Sequence, residues 1–138
     1  MTRYLLDNGV LVAYLKGRPG VLRLIRPWIV AREAATSQLV YGEAIEYLKG
    51  DSDYRQHRTE LRELLREVTP YQLTYAILER YADLRRSMRR SVGLIGDVDT
   101  LIAATALEHD LTVVMLDGDL TRVPGLSVMH LPRSTLMS

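Results

Sequence analysis

Short apolar runs alternate along this chain with longer stretches in which apolar residues recur every three to four positions. Runs at about 3–6, 35–37, 112–116 and 127–130 read as strands, and helical periodicity covers about 9–16, 19–32, 38–49, 53–67, 73–91 and 98–109. Gly50-Asp51-Ser52 and Thr69-Pro70 are breaks, with a further short strand signal at Glu67 to Thr69. Strands alternating with helices predict an α/β domain with a mostly parallel sheet. Sites in such sheets form outside the carboxyl ends of the strands.

Four carboxylates stand where that architecture would gather them. Tyr4-Leu5-Leu6 ends in Asp7, and Thr112-Val113-Val114-Met115-Leu116 ends in Asp117, so both acids leave a strand at its carboxyl end. Ser37 opens a helix in which Val40, Glu43 and Tyr47 fall at i, i+3 and i+7, which places Glu43 beside an apolar stripe. Asp99 shares a helix face with Ile102, Ala103 and Ala106, the face expected to pack inward. A buried carboxylate needs a cation or a cluster of donors. Asp97 is placed to cap that helix. Asp119 lies two residues beyond Asp117, in a turn made flexible by Gly118, and is the weaker alternative for the fourth acid.

Clustered acids point to a hard divalent cation, Mg2+ or Mn2+, held through oxygen together with water and a substrate phosphate. Such an ion acidifies a bound water and stabilises charge on a phosphodiester. The chain has no cysteine, which excludes thiol catalysis and zinc-thiolate sites. His57, His109 and His130 show no ligand spacing and read as surface or helix-end residues. With 138 residues, 47% of them hydrophobic, the chain fits one domain spanning 1–138. Neither a membrane span nor a signal peptide is visible, so a cytoplasmic location is expected.

Asp7 after the first strand, Glu43 in the helix begun by Ser37, the Asp99-Thr100-Leu101-Ile102-Ala103-Ala104 helix and Asp117-Gly118-Asp119 after a later strand resemble the PIN-domain ribonucleases. The likeness is strongest to the VapC toxins of toxin-antitoxin pairs, and it runs from Tyr4 to about Val128. It implies a PIN-like three-layer α/β/α fold and a metal-dependent endoribonuclease acting on RNA. Asp7 and Asp99 would be the primary metal ligands, with Glu43 and Asp117 secondary or acting through water. A cognate antitoxin whose extended segment covers the acidic pocket, and a homodimer, are implied as partners. The chain departs from the family pattern at Asn8, Met115 and Leu120, where a hydroxyl residue, a hydroxyl residue and an aromatic are usual.

Net charge is +1, yet the positive charge is nearly all arginine. Arg85, Arg86, Arg89 and Arg90 form a ridge on one helix, a candidate RNA-backbone contact. The same ridge also reads as a solvated face paired with Glu79 and Asp83. The helix from Asp53 to Val68 carries both signs and reads as a surface helix. Two other readings compete with the nuclease. A phosphoacceptor receiver domain needs a lysine at the end of a late strand, and Lys16 and Lys49 are elsewhere. A PIN-like fold impaired in catalysis, acting as an RNA-binding or protein-interaction module, is the other.

Overall fold

The computed structural model describes residues 1–91, 93–116 and 118–136, Asp119 by its backbone alone. Three crossovers build it: β1 (Tyr4–Leu6), α1 (Asn8–Leu15) and α2 (Pro19–Val30) lead to β2 (Ala34–Ser37). Helices α3 (Gln38–Leu48) and α4 (Tyr54–Leu64) lead to β3 (Thr69–Tyr71), and α5 (Tyr75–Arg90) and α6 (Asp97–Glu108) to β4 (Thr112–Met115). A 3-10 turn at Asp119–Arg122 precedes β5 (Val128–His130), and a second closes the chain at Arg133–Leu136.

The strands pair in the order β3-β2-β1-β4-β5, and every pairing is parallel. Helix α1 packs on α2, α3 and α4, while α5 packs on α6, so two helical layers enclose the sheet as the PIN-like expectation requires. The central strands are buried on both faces, which explains their unbroken apolar runs: Leu5, Leu6, Val113 and Val114 are all fully buried. The chain moves outward from β1 through β2 to β3, then returns to the other side of β1 at β4. That reversal makes a crevice at the carboxyl ends of β1 and β4.

The strand after α4 lies two residues later than the periodicity indicates. It occupies Thr69–Tyr71, paired as Ala35 with Thr69 and Thr36 with Pro70. Pro70 cannot donate to a ladder, but β3 is an edge strand with only one side to satisfy, so the proline is tolerated inside it. Helix α4 correspondingly stops at Leu64, and a turn closed by the Val68 amide on the Leu64 carbonyl (3.1 Å) takes the chain into the sheet.

Candidate active site

Asp7 is the residue at which β1 becomes α1. Its backbone is pinned on both sides: its amide donates to the Val114 carbonyl of β4 (3.0 Å), and its carbonyl accepts from Leu11 (2.9 Å). The Asp7 side chain makes no capping bond to α1. The neighbouring strand end is fixed as well. Thr36, fully buried at the end of β2, donates its hydroxyl to the Leu6 carbonyl (2.9 Å). Ser37 then caps α3, accepting from the Leu39 amide (3.1 Å), as its position in the sequence predicts.

Helix α3 buries Val40, Ala44 and Leu48 against the core, so its apolar stripe follows i, i+4 and i+8. Glu43 and Tyr47 form the adjoining row. Glu43 is half-buried at the edge of the core, whereas Tyr47 is 62% exposed and is not part of the stripe. On α6, Ile102, Ala103 and Ala106 are fully buried and Asp99, in the first turn of the same face, is half-buried. Small residues let α6 approach closely. Its two buried threonines satisfy themselves, Thr100 donating to the Gly96 carbonyl and Thr105 to the Leu101 carbonyl, each at 2.8 Å.

Helix α3 packs against both α1 and α6, which brings the acids into electrostatic reach of one another. The Glu43 carboxyl is pushed from its ordinary 4.5 up to about 7, first by burial, then by the negative charges of Asp7 and Asp99, and lastly by Glu46. Two of the predicted acids thus act directly on a third. Among the described residues, no three His, Cys, Asp or Glu side chains are grouped so as to hold a metal ion by themselves. A magnesium-like ion does not require such a cage, since it binds through one or two carboxylates and completes its shell with water and phosphate. A Glu43 carboxyl raised by burial and by neighbouring carboxylates is an environment such a cation relieves, and an all-oxygen donor set suits it. The residues present therefore fit a hard divalent ion.

Asp117 and the Asp119 side chain lie outside the described residues. Just beyond β4, the Leu116 carbonyl oxygen lies 2.7 Å from His130 Nε2 of β5. His109 ends α6 and stacks on Tyr71 with ring centroids 3.8 Å apart, while His57 faces Asp51 at 3.5 Å. Met115 is buried in the core. Arg86, Arg89 and Arg90 remain exposed and line a surface depression of about 430 Å³ with Tyr81 and Arg85.

Asp97 does not cap α6. Gly96 occupies the cap position, and Asp97, at the first helical position, instead binds the Arg85 guanidinium and accepts from the Tyr81 hydroxyl (3.1 Å). Arg85 is thereby drawn from the ridge into a clamp between α5 and the end of α6 that carries Asp99. The partners are 12 and 16 residues from Asp97, so no local spacing announces them. Thr36 is similarly silent in the sequence, although a hydroxyl at the end of a strand beside an acid-bearing strand is its only signal.

The PIN-domain family pattern matches residues 4–126. Ribonuclease VapC10 of Mycobacterium tuberculosis is 32% identical over 117 residues, covering 82% of this chain and 81% of that protein. Among solved structures, VapBC2 from Rickettsia felis bound to a DNA fragment from its promoter superposes with a TM-score of 0.82 at 20% identity, covering 94% of this chain and 99% of that one. FitAcB from Neisseria gonorrhoeae gives 0.77 at 21% identity, with 92% and 96% covered. At these identities the structural likeness speaks for the fold.

Proposed function

Because the chain belongs to the PIN-domain family, we propose that it is a divalent-metal-dependent endoribonuclease, a VapC-type toxin held in check by a cognate antitoxin. The observation that carries the reading is the influence of Asp7 and Asp99 on the Glu43 carboxyl, which puts acids from three separate segments within electrostatic reach. A solved structure of the same fold is a toxin-antitoxin complex from Klebsiella pneumoniae, which supports an antitoxin partner. RNA is the substrate in this reading, and a homodimer the working unit.

Asp7 and Asp99 would hold Mg2+ or Mn2+, with Glu43 and Asp117 acting directly or through water. The bound ion supplies charge neutralisation and an acidified water. The protein's own part is positional. The sheet fixes Asp7 through its amide bond to Val114, and α6 fixes Asp99 through its buried face. Glu43 keeps its carboxyl within electrostatic reach of Asp7 and Asp99, placed to orient a water beside them. Arg86, Arg89 and Arg90 contact RNA phosphates, with Arg85 anchored to Asp97.

Purified protein supplied with Mg2+ or Mn2+ should cleave single-stranded RNA, and Asp7→Asn and Asp99→Asn should each abolish cleavage while leaving the fold as stable or more so, because each removes a repelling charge. Cleavage retained by both variants overturns the assignment. RNA binding without cleavage by the unaltered protein favours the catalytically impaired module instead.

A further inference from the structure

Two of the helices that border the acids, α1 and α3, also line a second concavity. Asn8 follows Asp7 directly at the start of α1, and Tyr47 lies one turn after Glu43 on α3. Both line a groove of about 250 Å³ whose floor is the α1 surface around Val12 and whose rim carries Lys16, Arg18 and Arg133. The volume lies just below that of pockets that take drug-sized molecules.

We propose that this groove is a nucleotide subsite, which seats the base and sugar next to the phosphate being cut and holds the following phosphate at its cationic rim. The inference rests on the nuclease reading of the acidic crevice. Its chemistry is that of a single strand rather than a folded partner. Tyr47 offers an exposed ring, steadied from one side by the Lys16 ammonium at 5.1 Å, and a base can stack on such a ring whatever its identity. Lys16 is itself held by Asp51 at 3.1 Å, which fixes the ammonium against the ring. Asn8 contributes an amide that both donates and accepts, suited to a base edge or a ribose hydroxyl.

The charge pattern supports the same occupant. An acidic centre attracts a phosphate only with a metal ion between them, whereas phosphates one step along the strand need direct cations. Here Arg18, at the start of α2, and Arg133, in the closing 3-10 turn, line the same groove as Asn8 and Tyr47. A polyanion bound across both regions therefore meets alternating requirements in the order that the surface supplies them. An apolar peptide segment would satisfy the groove's floor and offer its arginines no anion.

The test is binding of a short, non-cleavable 2′-O-methyl oligoribonucleotide in EDTA, followed by fluorescence anisotropy across a salt series. Tyr47→Ala should weaken affinity by about five- to hundredfold, and Tyr47→Trp should preserve it, because stacking and not the hydroxyl is used. Arg18→Ala and Arg133→Ala should each reduce the logarithmic salt slope by about 0.7, the signature of one lost phosphate contact on a single strand. Unchanged affinity and slope in all three alanine variants overturn the subsite. Variants that bind RNA normally but escape inhibition by the antitoxin overturn it too, and give the groove to a protein segment. Neither readout depends on cleavage, so failure here is separable from failure of the nuclease assignment.

Discussion

At the residue scale, Glu43 ties the site to pH. Its folded-state pKa of about 7 lies above the ordinary 4.5, so the folded protein holds a proton that the unfolded chain releases. Below pH of about 4.5 both states are protonated and Glu43 costs nothing; as pH rises toward 7 its contribution becomes destabilising, and above that it stays constant. Thermal unfolding in EDTA should show Glu43→Gln gaining stability relative to the unaltered protein across this window, with Mg2+ narrowing the gap. A gap that does not vary with pH removes the coupling to Asp7 and Asp99. The fourth acid is a matter of attachment. Asp117 follows β4 almost directly and Asp119 opens a 3-10 turn, so Asp117→Ala should cost about tenfold or more in cleavage while Asp119→Ala acts mainly on stability. The reverse order identifies Asp119 as the acid of the pocket.

At the scale of elements, the clamp of Tyr81, Arg85 and Asp97 divides the arginine ridge in two. Arg85→Ala should lower stability by no more than about 1 kcal/mol, because Asp97 is largely exposed to solvent. Replacing Arg86, Arg89 and Arg90 together by Ala should leave stability nearly unchanged and flatten the salt dependence of RNA binding. An unchanged slope returns those three to the solvated-face reading. What the sequence discloses follows from the same distinction between local and distant partners. Asp7, Glu43 and Asp99 are legible because a strand end and helical spacing are local facts, and so is the Ser37 cap. Asp97 is misread because a helix start favours a cap, whereas the competing arginine sits on another helix. Tyr47 is misplaced because i+7 and i+8 are neighbours on a helix, and the core selects Leu48. The shift of β3 has a pairing cause: its register is set by β2, not by its own residues.

At the scale of the molecule, the parallel sheet with β1 at its centre makes the crevice a property of the whole fold. Ile102, fully buried beneath the face that carries Asp99, tests this. Ile102→Ala should cost about 2–5 kcal/mol, and the drop in unfolding midpoint should be accompanied by lost cleavage well below that midpoint only if α6 shifts as a unit. Layers and parallel pairing follow from the alternation of strands and helices, while strand order comes only from contacts between distant segments. That order also bears on synthesis. The ribosome releases Asp7 and Glu43 early, but β1 waits for β4 to pair with it and for α6 to bring Asp99. At about 5–20 residues per second, the nascent chain passes several seconds with its acids dispersed, harmless to the messenger from which it is being read. On the proposed nuclease reading, late assembly is a built-in delay between synthesis and cutting.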